Sequence, residues 1–79
     1  MINQFIIAGK LLSKRLNYGI ISVEEADIEV YIPDALMPII NRVSNGTLLC
    51  VTGKIMEYHS LHATQIMILE EHYDNNYSL

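Results

Sequence analysis

Cysteine is almost missing from this chain: Cys50 is the only one. That excludes an intramolecular disulfide, and its place between Leu49 and Val51 reads as a buried thiol rather than a nucleophile. No apolar run approaches the ~20 residues of a membrane-spanning helix. No basic start, apolar centre and small cleavage residues suggest a signal peptide, so a soluble cytoplasmic protein with no membrane contact is expected. Positive charge is also scarce, with five Lys and Arg against nine Asp and Glu and a net charge of −4. This balance opposes broad attraction to phosphate, which normally supplies most non-specific nucleic-acid affinity.

The chemistry of catalysis is thin as well. Glu24, Glu25, Asp27 and Glu29 form a carboxylate cluster with no adjacent metal ligands or histidine base, and they read as a solvated edge that discourages strand-to-strand aggregation. Gly9 and Gly53 are isolated and make no phosphate-cradling loop. His59 and His62 are spaced like some metal ligands, with His72 further on, but a zinc site needs more nitrogen or sulfur donors than these provide. They read instead as hairpin histidines that attract phosphate when protonated. No nucleophile has a base beside it, so no enzymatic activity, metal or cofactor is expected.

What is present is a small apolar domain. The chain has 79 residues, 51% of them hydrophobic and 18% charged, which describes a folded domain rather than a disordered segment. A domain of this size buries only about 60–65% of its unfolded surface, so a homodimer or homotetramer would add to a marginal core. The cations are unevenly placed. Residues 1–23 hold Lys10, Lys14 and Arg15 and no acid, whereas Arg42 and Lys54 face all nine acids in the remainder.

Along the chain, Ile2 to Leu12 reads as a first strand, with Phe5, Ile7 and Leu11 on one parity and Ile6, Ala8 and Lys10 on the other. Ser13 to Tyr18 reads as a basic loop closing at Gly19, and Ile20 to Val23 as a short second strand. After the Glu24–Asp27 connection, Ile28, Val30 and Ile32 alternate with Glu29 and Tyr31 in a third strand that Pro33 stops. Asp34 is placed to cap a helix reaching about Val43, with Leu36, Ile39, Ile40 and Val43 at helical spacing. Pro38 predicts that its regular part starts late. Asn45-Gly46 ends it.

The organising stretch runs from Asn45 to His59. Leu48 to Val51 and Lys54 to Tyr58 suit a pleated surface, and Gly53 between them marks a bend. Ile6-Ile7-Ala8-Gly9-Lys10-Leu11 repeats the order of Cys50-Val51-Thr52-Gly53-Lys54-Ile55. A tight turn at Ser60-Leu61 and a last strand from Ala63 to about His72 follow, with Ile66 and Ile68 opposite Met67 and Leu69. Two bent strands predict a closed barrel: an all-β, five-stranded OB-fold with one short helix between strands 3 and 4. The domain would span residues 1–73, followed by a short flexible tail over residues 74–79.

The opening Met1-Ile2-Asn3-Gln4-Phe5-Ile6-Ile7-Ala8-Gly9-Lys10-Leu11 and the stretch from Asn45 to Ile55 resemble two motifs of the bacterial single-stranded DNA-binding proteins and the related primosomal PriB proteins. The resemblance implies binding of single-stranded DNA, or RNA, without sequence preference, by a homo-oligomer working with other replication proteins. The chain departs from that family in having no Trp, so stacking falls to tyrosine, and in having short second and fourth connections. The family's acidic tail is at most echoed by residues 74–79. Base stacking and phosphate attraction select Lys10, Lys14, Arg15, Tyr18, Tyr31, Lys54 and Tyr58 as nucleic-acid-binding residues, and the resemblance adds Met56. Met56 and Tyr58 follow from the resemblance, on a fourth strand that puts them on one face with Lys54. The other reading of the same residues is an OB-fold interaction or oligomerisation module of a replication complex, with little DNA binding. A small-ligand barrel would need a lined cavity, for which so short a chain has few side chains.

Overall fold

The computed structural model describes residues 3–72; the tail expected over residues 74–79 lies outside the described residues. Five strands, β1 (Gln4–Arg15), β2 (Tyr18–Val23), β3 (Ala26–Tyr31), β4 (Leu48–Ile55) and β5 (Leu61–Glu70), close into a barrel in the order β1-β2-β3-β5-β4. A 3₁₀ turn (Asp34–Leu36) and a short helix, α1 (Met37–Arg42), join β3 to β4. All neighbouring strands are antiparallel except β3 and β5, which pair in parallel at Val30 with Leu61 and Tyr31 with His62. This is the OB-fold arrangement expected from the two bent strands.

Period-two alternation builds the interior. Leu11, Ile21, Val30, Leu49, Val51, Ala63 and Ile66 point inward and are buried, and Ile32, Ile40 and Val43 close the barrel from the β3–α1 side. Pro38 occupies the first turn of α1, where its missing N–H costs nothing, so the regular helix starts only at Met37.

The glycines act at close approaches. A Cβ on Gly53 would lie 2.0 Å from the carbonyl oxygen of His62 and 2.8 Å from the Phe5 ring. A Cβ on Gly9 would lie 2.1 Å from the carbonyl oxygen of Ser22. In each case one wall strand turns sharply enough for a neighbour's backbone to occupy the space of a side chain. The β4–β5 register also shifts between Thr52 and Gly53, which marks a bulge at the bend.

Several local expectations are corrected. β1 continues past Leu12 to Arg15, because a bulge between Leu11 and Ser13 lets it change partner from β4 to β2 without ending. The expected basic loop is therefore a tight turn at Leu16-Asn17, with Arg15 and Tyr18 already paired across strands. Asp34 does not cap the helix; its carboxylate accepts from Asn17 Nδ2 at 2.9 Å instead. β4 stops at Ile55, and a 3₁₀ turn over Glu57–His59, with Tyr58 and His59 both at left-handed φ, delivers the chain to Leu61. The last strand thus starts earlier than Ala63 and ends at Glu70. Cys50 is half-buried on the outward parity of β4, not inside the core.

Asn17 holds the first turn in place. At φ 60 it occupies the left-handed region, its backbone oxygen accepts from Ile32 N at 2.8 Å, and its Nδ2 donates to Ile32 O at 2.8 Å and to Asp34. Asn17→Ala should lower stability by about 2 kcal/mol, combining lost hydrogen bonds with the left-handed penalty of a Cβ. Asn17→Gly, which keeps the backbone freedom and loses only the side-chain bonds, should cost roughly half as much. Thermal unfolding followed by circular dichroism compares the two; equal losses would mean the backbone conformation contributes nothing.

Candidate nucleic-acid interface

One cross-strand row brings together two tyrosines, a histidine and two cations. Arg15 on β1 is the register partner of Tyr18 on β2, Tyr18 of Tyr31 on β3, Tyr31 of His62 on β5, His62 of Lys54 on β4, and Lys54 of Gln4 at the opposite end of β1. Their chain neighbours Gly19, Val30, Ala63 and Gly53 are buried, so alternation turns the row itself outward. Arg15, Tyr18 and Lys54 are exposed, and Tyr31 and His62 are half-buried between their neighbours.

The rings form a connected platform. Tyr18 and Tyr31 meet edge to face with centroids 5.5 Å apart, and Tyr31 and His62 are tilted at 4.8 Å. The His62 ring is further positioned by Ser60 Oγ, 3.1 Å from Nε2. Packing of this kind removes rotamer freedom before any ligand arrives, which favours stacking on the exposed faces and edges. Arg15 and Lys54 bracket the three rings with positive charge.

Acids border this platform. Asp27 and Glu29 lie on the same parity of β3 as Tyr31, opposite Ser22 and Ile20 of β2. A phosphate chain is therefore favoured along the ring row and disfavoured toward the β2–β3 hairpin, so the negative net charge is compatible with one locally positive track.

Among the other residues selected from the sequence, Lys14 has a structural task. Its ammonium donates to Ile40 O at 3.0 Å and to Val43 O, satisfying carbonyls at the C-terminal end of α1. Lys10 is exposed but sits in mid-β1, in register with Ser22 and Leu48, away from the rings. Met56 and Tyr58 belong to the β4–β5 turn; Tyr58 is 95% exposed and, among the described residues, no other ring packs on it. They do not share a strand face with Lys54, since β4 has ended before them.

The residue missed as a site member is His62. Only the parallel β3–β5 pairing sets it beside Tyr31, and the signal available in the sequence was the OB topology itself, which requires the start of β5 to meet the end of β3.

The two adjacent cations should behave differently. Arg15→Ala is expected to reduce the slope of log affinity against log salt by about 0.7 on a single strand, the release of one phosphate's counterion. Lys14→Met is expected to leave that slope unchanged while lowering the unfolding midpoint. Salt titrations of fluorescence anisotropy check the first, and thermal melts the second.

Among the described residues, no helix is long and apolar enough to cross a membrane, and no group of three or more His, Cys, Asp or Glu side chains could hold a metal ion. Comparison with protein-family models, with curated proteins and with solved structures finds no match.

Proposed function

We propose that this OB-fold protein binds single-stranded DNA without sequence preference, in the cytoplasm, during replication or recombination. The supporting observation is the row in which Tyr31, packed on Tyr18 at one side and on His62 at the other, lies with them between Arg15 and Lys54. Bases stack on the rings whatever their identity, because each has a π face, and the flanking cations neutralise phosphates. The role this chemistry supports is to hold a strand extended and protected, and the resemblance noted in the sequence adds presenting it to other replication proteins.

With two flanking cations and an acidic border, a single barrel binds weakly and with a modest salt dependence, a slope of about −1.4 for two phosphates on a single strand. Several barrels on one strand would raise the effective affinity without new contacts. Titrating a fluorescently labelled oligothymidine with the protein at low and moderate salt tests the reading directly. Rising anisotropy and altered tyrosine emission at low salt, both reduced by added salt, are expected. A flat titration at low salt and high protein concentration would remove it.

A second reading, an interaction module of a replication complex with little DNA affinity, is favoured by Asp27 and Glu29 beside the rings and by the outward apolar residues of β1 and β5. It requires the flat titration together with a stable assembly.

A further inference from the structure

Beyond Lys54 the ring row runs on to Gln4, and there the barrel wall is notched. Gly53 brings no side chain to the bend of β4. Opposite it β5 carries one extra residue: Thr52 pairs with Gln65 and Gly53 with Ala63, so Thr64 is left unpaired in the bulge. Bulges re-aim a side chain and recur next to active sites. Here the Thr64 hydroxyl donates to Thr52 O at 3.3 Å. The result is an open cleft of about 370 Å³ lined by Gln4, Phe5, Ile6, Thr52, Gly53 and Thr64. That volume lies near the lower end of the roughly 300–1,000 Å³ of small-molecule sites, which suits one planar ring system. Phe5 and Ile6 supply apolar contact, and Gln4, Ile6 and Thr64 are exposed, so a ligand reaches them without an opening movement.

We propose that this cleft takes one base of a strand lying on the ring row, and that it prefers adenine to thymine. The assignment rests on the strand-binding reading of that row. Hydrogen-bonding groups set the preference. Thr64 uses its only hydroxyl proton on Thr52 O, so toward a ligand it can only accept. Gln4 offers an acceptor and two donors on one amide. Adenine presents an amino donor beside a ring-nitrogen acceptor, the pair that a Gln amide meets with two hydrogen bonds. The second amino hydrogen is then free for Thr64. Thymine has a carbonyl oxygen where adenine has the amino group, which sets lone pairs against the Thr64 oxygen and leaves that oxygen unpartnered. Gln4 is the register partner of Lys54, and Lys54 that of His62, so the cleft begins about 10 Å from the last ring, two strand spacings away. Lys54 stands between them, placed for the linking phosphate. The rings thus stay indifferent to sequence, and one position beyond them does not.

Anisotropy titrations of a short labelled oligothymidine, with a single deoxyadenosine moved from one end to the other, test this on the full chain. Binding about fivefold tighter is expected with the adenine toward one end, and not at the other positions. In Thr64→Val, which keeps the shape and removes the hydroxyl, and in Gln4→Leu, the ratio of adenine-strand to thymine-strand affinity should fall to about one. As a ratio, it is unaffected by any loss of folded protein. Adenosine alone, which carries no phosphate, should shift the NMR resonances of the Gln4 side-chain amide and of the Gly53 and Thr64 backbone amides, and thymidine should do so less. If strands bind with no favoured adenine position, or if the preference survives both substitutions, the cleft is not a base site and the ring row keeps its role. If no strand binds at low salt but adenosine shifts these resonances more than thymidine does, the cleft remains a nucleobase site and the ring row falls. Adenosine shifts that are absent, or confined to other residues, would overturn the assignment whatever the strands do.

Discussion

Tyr31→Ala is expected to weaken binding of oligothymidine by about 5- to 140-fold at low salt, the factor that corresponds to roughly 1–3 kcal/mol of base stacking at tenfold per 1.4 kcal/mol. Tyr31 is the middle ring, in contact with both Tyr18 and His62, so its loss removes one platform and loosens the other two. Tyr31→Phe keeps the ring and should retain most of the affinity, which separates stacking from any role of the hydroxyl. Tyr58→Ala should change affinity far less. Its exposed ring has no packed orientation, and ordering such a side chain on binding costs about 0.5–1.5 kcal/mol, offsetting much of what stacking would contribute. Anisotropy titrations of the three variants rank these effects; a larger loss from Tyr58→Ala than from Tyr31→Ala would place the contact in the β4–β5 turn instead of the ring row.

The second large effect concerns stability. Gly53→Ala should cost about 3 kcal/mol or more, because the new methyl would occupy the position of the His62 carbonyl and press on the Phe5 ring, and backbone cannot move aside as a flexible side-chain end can. Domains of this size have total stabilities of only roughly 4–12 kcal/mol, so the barrel would lose a large share of its margin. Gly19→Ala is the matched control. There a Cβ would meet Ile32 Cδ1 at 3.5 Å and Leu11 Cδ1 at 3.7 Å, ordinary packing distances, so little change is expected. Urea unfolding of both variants distinguishes a requirement for space at one bend from a general sensitivity of the strands. Similar midpoints would show that β4 and β5 can separate at Gly53 without penalty. His62 shares that bend, so Gly53→Ala should also impair oligothymidine binding in whatever fraction remains folded.

The alternation of Phe5, Ile7 and Leu11 against Ile6, Ala8 and Lys10 was legible because it is a local property of one strand, and burial follows it. The proline in α1 likewise told where the regular helix would start, since its effect is confined to its own turn. Strand ends were less legible. Ser13 to Tyr18 is polar enough for a loop, yet Asn17 bonds to Ile32 and Asp34 and so holds Arg15 and Tyr18 in strand pairing. Tyr58 looked like a strand residue from its neighbours, but the chain must turn at Glu57–His59 for Leu61 to reach Val30. Lys14 and Arg15 are chemically similar neighbours, and only the position of α1 decides that the first binds its terminal carbonyls while the second remains beside the rings.

By itself, the sequence determined a barrel wall: the inward alternation of the first and third strands, where the helix falls, and that Gly9 and Gly53 are bend positions. These are consequences of short-range sterics and of the two-residue period of a strand. Tertiary structure alone decided which aromatic and charged groups form a surface, because neighbourhood across a barrel depends on register between distant segments. It brought His62 to Tyr31, set Lys54 and Arg15 at either side of them, and withdrew Lys14 to the helix.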